Sequence, residues 1–111
     1  MIIQKTFDKN SCMFADSFDR NEHLFLSIEQ WFNSILQKRG HVFLNEIYDA
    51  LDIPRTHRGQ THGWTFDKHT KRSIIDFMLS EKEEDGSIIF IFEIDGDIMD
   101  KIQEDSWYAD Y

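Results

Sequence analysis

The chain holds one cysteine, one proline and five glycines in 111 residues. A single cysteine excludes an internal disulfide and any zinc site built from a set of thiolates. Nothing beside Cys12 resembles an activating base, so it is expected to serve as a small buried hydrophobe. The sparse proline and glycine accompany the absence of any repeat, linker or low-complexity stretch. No apolar run approaches the roughly 20 residues that cross a bilayer. The opening MIIQKTFDKN lacks the long apolar segment of a signal peptide, and a reducing cytoplasm is expected. Positive charge is also scarce, with 12 Lys and Arg against 21 Asp and Glu, a net charge of −9. That excess repels nucleic acids and anionic membranes over a Debye length. A protein partner with a basic surface is the expected company.

Aromatic residues are plentiful: ten Phe, three Trp and three Tyr. Each buried ring removes about 150–250 Å² from water, enough in sum to give a chain of this size one core without metals or disulfides. At 41% hydrophobic and 30% charged residues, the composition is that of a globular chain rather than a disordered one.

Charge is unevenly spread. Residues 55–75 hold five Lys and Arg against one Asp, whereas residues 76–111 hold two against twelve acids. The basic island, RTHRGQTHGWTFDKHTKR, also contains three of the five histidines. Attraction between this island and the acidic C-terminal third is the simplest expectation.

Hydrophobic spacing organises the rest. IIQKTF reads as an edge strand and NSCMFADSFDRN as a loop. Leu24, Phe25, Ile28, Trp31, Phe32, Ile35 and Leu36 recur at helical spacing, with Asp19 or Asn21 as the cap and Gly40 as a left-handed stop. HVFL is extended; Asn45 is expected to cap a second helix, EIYDALDI, closed by Pro54. GWTFD, RSIIDFMLS and SIIFIFEID read as strands, with Asp85-Gly86 and Asp95-Gly96 as turns. IMDKIQE reads as one helical turn and DSWYADY as a tail. The expected fold is α+β, a single domain with two helices packed on a small, mainly antiparallel sheet.

Four blocks in order, VFLNEIYDALDIPRT, Gly63-Trp64, IIDFML and FEIDGDIMDKI, resemble a domain of unknown function that commonly ends longer phage and prophage proteins of Gram-positive bacteria. The resemblance covers residues 42–102, leaving 1–41 as an N-terminal strand and amphipathic helix and 103–111 as an acidic aromatic tail. Asp52 stands where that domain usually has glycine, and IIDFML lacks its glycine after Asp-Phe. The resemblance implies a phage or mobile-element origin, hence the cytoplasm of a bacterial host, and carries over no catalytic residue.

The candidate sites divide by chemistry. His57, His62 and His69, with Asp67, have some of the spacing of a metal site, but no helix is expected there to put two ligands on one face. Arg55, Arg58, Lys68, Lys71 and Arg72 can meet phosphates, with Trp64 and Phe66 as stacking rings. The remaining ninety residues oppose this by charge, and Trp64 and Phe66 share one strand face that suits the core. Glu93, Asp95, Asp97 and Asp100 do not match a calcium loop, because glycine falls between two of the aspartates. Nucleophile, P-loop and dinucleotide signatures are absent from the sequence, so no catalytic residue, cofactor or metal is assigned. The expected binding surface is acidic: Glu83, Glu84, Asp85, Asp97, Asp100, Glu104 and Asp105, with Trp107, Tyr108 and Tyr111 as aromatic anchors. The expected function is a non-enzymatic phage accessory protein that binds another protein, such as an anti-CRISPR-like inhibitor of a host nucleic-acid-binding or defence factor. The alternatives are a virion or assembly component, and a metal-dependent hydrolase using the histidine island.

Overall fold

The structure, a computed structural model, describes residues 1–66 and 74–99. The chain runs β1 (Ile2–Phe7), α1 (Phe18–Arg39), β2 (His41–Phe43), α2 (Leu44–Ala50), a single 3₁₀ turn (Arg58–Gln60), β3 (His62–Thr65), β4 (Met78–Glu81), β5 (Ile88–Glu93) and β6 (Gly96–Asp97). The fold is α+β, and the strands form two antiparallel three-stranded sheets, ordered β1-β5-β4 and β2-β3-β6. A bend after β5 separates the sheets. Ile94 still pairs with Met1 through its N–H at 2.9 Å, but Gly96 then takes φ 90° and leads β6 onto β3. Only a residue without a Cβ adopts that backbone at little cost.

α1 begins one turn earlier than its apolar spacing suggests. Ser17 is the N-cap, and its side chain accepts from Arg20 N–H. The expected caps have other duties. Asp19 lies in the first turn, and Asn21 is buried, bonding both backbone groups of Ala15 and the carbonyl of Gly86. Gly40 ends the helix in the left-handed region, donating to Leu36 O at 2.8 Å. The inward stripe is Phe25, Ile28, Phe32 and Leu36. Trp31, expected on it, is 65% exposed, because 100° per residue carries it about 100° round from the stripe's centre.

α2 also departs from expectation. Phe43 precedes it, with its N–H held by Glu46 Oε2 at 2.8 Å. Asn45 lies inside the helix and grips both backbone groups of Thr56 at 3.0 Å. The helix ends at Ala50, and Asp52, with φ 51°, turns the chain away two residues before Pro54. That backbone is one glycine adopts most readily. Here Asp52 Oδ2 accepts the Cys12 N–H at 2.8 Å. Cys12 itself is exposed, not buried. Its neighbour Ser11 packs inward onto the Leu51 carbonyl and turns the thiol outward. Hydrogen bonding with Asp52 pushes the thiol pKa up, the reverse of an activated nucleophile.

One core serves both sheets. Phe25 of α1 meets Phe7, Phe77 and Phe90 at 4.9–5.6 Å between ring centroids. Phe92 carries the cluster on to Trp64, which is 1% exposed and donates through Nε1 to Glu93 O at 2.8 Å. Phe66 packs at its margin, so Trp64 and Phe66 belong to the core as expected. The glycine before Trp64 is a packing requirement: a Cβ on Gly63 would sit 2.0 Å from Val42 O.

Among the described residues of RSIIDFMLS, strand begins at Met78. Ahead of it, Asn33 of α1 bonds both backbone groups of Ile75, and Glu29 Oε1 accepts Phe77 N–H at 2.7 Å. Helix side chains thus stand in for a neighbouring strand. Burial pushes the Glu29 pKa up against the lowering effect of the Phe77 bond.

Substitutions at three residues test this account. Gly63→Ala separates β2 from β3 and costs about 3 kcal/mol or more in chemical denaturation. At neutral pH, Asp52→Gly melts above Asp52→Ala, since only glycine accepts φ 51° without strain. The Cys12 bond lowers the folded pKa of Asp52, so its stabilisation is present above the ordinary carboxylate range and is lost as pH falls through the folded value. As pH falls through that range the parent chain therefore loses stability relative to Asp52→Gly. Glu29 has the opposite sign: its raised folded pKa makes ionisation a penalty that is absent in acid and grows as pH rises. Glu29→Gln keeps the Phe77 acceptor without the charge and is neutral or stabilising at pH 7 by thermal melting. Glu29→Ala loses about 1–3 kcal/mol by orphaning that N–H.

Candidate functional site: an open sheet face

α1 covers only one side of the sheet β1-β5-β4. Side chains alternate along a strand, so with Phe7, Phe90 and Phe92 inward, Ile2, Ile89, Ile91 and Met78 point to the opposite side. No described element packs there. Ile2 is 73% exposed, Met78 69%, and Ile74, just before β4, 64%. Together with Ile91 they line a shallow depression of ≈280 Å³ whose charged residues, Asp76 and Glu93, are both acidic. An apolar centre with a polar rim is the anatomy of a protein-docking patch, and monomers seldom leave clustered large apolar side chains in water.

The expected acidic surface is distributed differently. Glu83, Glu84 and Asp85 are exposed on the turn between β4 and β5. Asp85 Oδ1 takes the Ser87 N–H at 3.0 Å; bonding to Ser87 and, more weakly, the charge of Lys9 hold its carboxyl below the usual range. Asp97 lies beyond the other end of β5, where Oδ1 accepts Met99 N–H at 3.0 Å. Six residues of strand put about 20 Å between the two groups, so these acids do not form one face. Asp100, Glu104, Asp105, Trp107, Tyr108 and Tyr111 lie outside the described residues. Asp95 has a structural task, its Oδ2 accepting from Thr65 N–H and Oγ1 at 2.8 and 3.2 Å.

The basic island is split. Arg55 is bidentate to Asp49 of α2 and pulls that carboxyl's pKa down, so this cation is answered by its own neighbourhood rather than by the acidic third. His57 is exposed, and His62 Nδ1 lies 3.0 Å from Arg58 O and 2.9 Å from Thr61 Oγ1. No group of three or more metal-ligating side chains occurs among the described residues. Asp67, Lys68, His69, Lys71 and Arg72 lie outside them. With Trp64 in the core, it offers no ring on which a base can stack. No described helix is long and apolar enough to cross a membrane.

Ile2, Ile74 and Met78 were not among the expected site residues. A signal for the open face was present in SIIFIF, whose unbroken apolar run makes both faces of β5 hydrophobic when only one helix layer is available. Met78 occupies the position after Asp-Phe where the resembling domain has glycine.

No curated protein and no solved structure matches the chain. A family model matches residues 3–102, a span that takes in β1 and α1 as well as the four blocks. The chain is a member of a family of unknown function, DUF6353.

Proposed function

We propose that this protein is a non-enzymatic phage or prophage accessory protein that works by holding another protein against the open face of the sheet β1-β5-β4. The observation that carries this reading is the cluster of exposed Ile2, Ile74 and Met78 bordered by Asp76 and Glu93. Such a face suits a partner with an apolar ridge flanked by Lys or Arg, the chemistry of many nucleic-acid-binding surfaces. Occupying that ridge would block it, which is how an inhibitor of a host nucleic-acid-binding or defence protein acts. The phage setting rests on the resemblance of the four sequence blocks. The net charge of −9 speeds encounter with a basic partner and makes it salt-sensitive. Self-assembly through this face is the lesser reading, since pairing two copies brings like-charged rims together.

Affinity capture from a bacterial host lysate at low and high salt tests the proposal. The parent chain retains a basic partner that is released by salt, while Met78→Lys and the pair Asp76→Lys, Glu93→Lys lose it. Since Met78 and Asp76 are exposed, circular dichroism should show the variants folded. A captured set unaffected by these substitutions sinks the docking reading. A concentration-dependent dimer in light scattering that Met78→Lys dissolves replaces it with self-assembly.

A further inference from the structure

Among the described strands, β1 has a partner on one side only. Met1 and Ile94 exchange both backbone bonds, at 3.2 and 2.9 Å. Bonded and non-bonded pairs alternate along an antiparallel ladder, so Ile3, Lys5 and Phe7 bond to β5. The N–H and C=O groups of Ile2, Gln4 and Thr6 therefore face away from the sheet. The Lys82 N–H to Ser87 O bond at 2.8 Å fits the same alternation on the other side of β5. No described group bonds these outward backbone atoms. The contrast with the opposite flank is instructive, since there the side chains of Asn33 and Glu29 occupy the backbone of Ile75 and Phe77. An unpaired edge is a ready template for another strand.

Alongside this edge lies a cleft of ≈560 Å³ between β1 and the segment from α2 through the 3₁₀ turn to β3. Lys5, His57, Arg58 and His62 line it, with no Asp or Glu, in a chain whose acids outnumber its bases 21 to 12. Lys5 Nζ lies 5.4 Å from the centroid of the Tyr48 ring, whose π face it meets. Tyr48 is 1% exposed. Burial pushes its pKa up to about 12, so the hydroxyl stays a donor. The far wall is preset: Asn45 clamps Thr56, Thr56 Oγ1 takes Gly59 N–H, and the His62 ring braces the Arg58 carbonyl. Beyond Thr6 the edge enters a hollow lined by Asp8, Asp49, Asp52 and Arg55, whose excess of acid ends the stretch suited to carboxylates.

We propose that the free edge of β1 takes an extended acidic peptide segment as an added strand, its backbone pairing with Ile2 and Gln4 and its carboxylates held by Lys5, His57 and Arg58. Backbone pairing supplies affinity and the cationic wall supplies the choice of side chain. About four residues at strand rise cover the edge from Ile2 to Lys5. This site is separate from the open sheet face, and either stands without the other.

The test is titration of the ¹⁵N-labelled full chain with a capped Glu-Val-Glu-Val tetrapeptide. Saturable shifts are expected at residues 2–5, Tyr48, His57 and Arg58. Amide exchange at Ile2 and Gln4 slows about tenfold at saturation, which only strand pairing produces. Lys5→Glu and Arg58→Glu each weaken binding by about tenfold or more, as does added salt, and Arg58→Gln gives a smaller loss in the same direction. Equal binding of Lys-Val-Lys-Val overturns the assignment. So does inorganic phosphate or free glutamate giving the same shifts, with no slowing of exchange on adding peptide. That result would leave an anion site without strand addition.

Discussion

Burial of Trp64 is the contact on which the two halves of this protein depend. Its ring lies 5.9 Å from Phe92 and its indole N–H reaches the Glu93 carbonyl, so a residue of β3 is fastened to the last turn of the β5 ladder. The two sheets share no strand. Beyond the short run of β6, it is the aromatic chain from Trp64 through Phe92 and Phe90 to Phe25 that makes them one body. Gly63 belongs to the same device, because only a residue without a side chain lets β3 approach Val42 closely enough to bring Trp64 into the core. A buried indole with a bonded N–H is also the cheapest way to bury so large a ring.

Around that centre, polar side chains do work that a longer protein would assign to more secondary structure. Asn21 ties the loop before α1 to the turn at Gly86, Asn45 holds the basic island at Thr56, and Asn33 with Glu29 closes one flank of the first sheet. Each satisfies backbone groups that would otherwise be unpaired. Several acids of this acidic chain are therefore structural ligands of backbone N–H groups, as Asp52, Asp85, Asp95 and Asp97 are. The arrangement leaves two surfaces of opposite character: an apolar sheet face with an acidic rim, and a cationic cleft beside an open edge.

The fold class, α1 and its Gly40 stop, the strand character of GWTF and SIIFIFEID, and the burial of Trp64 were all legible in the sequence. They depend on local spacing or on the left-handed freedom of glycine. The caps were not. Ser17, Asp19 and Asn21 are all good capping residues, and the choice among them was made by the distant Gly86 carbonyl that claims Asn21. Asn45 was drawn from its expected cap in the same way by Thr56, eleven residues on. Cys12 reads as buried by residue type, but Ser11 had the hydroxyl that Leu51 O required. The spatial grouping of the acids was not legible either: β5 holds Glu83–Asp85 and Asp97 apart, and the other expected residues lie outside the described ones.

By itself the sequence determined what periodicity and backbone chemistry can specify: an acidic α+β domain with an aromatic core, one strong amphipathic helix and glycine-marked turns. Those are short-range properties, set within a few residues by side-chain alternation and by sterics at Cα. Only the tertiary structure decided which surfaces are left open. Whether Ile2 and Met78 face water depends on α1 covering one side of a three-stranded sheet, and whether Lys5 and Arg58 line one cleft depends on where a loop some fifty residues away is pinned. Exposure is a property of the packed whole, because a side chain is exposed only by what fails to cover it.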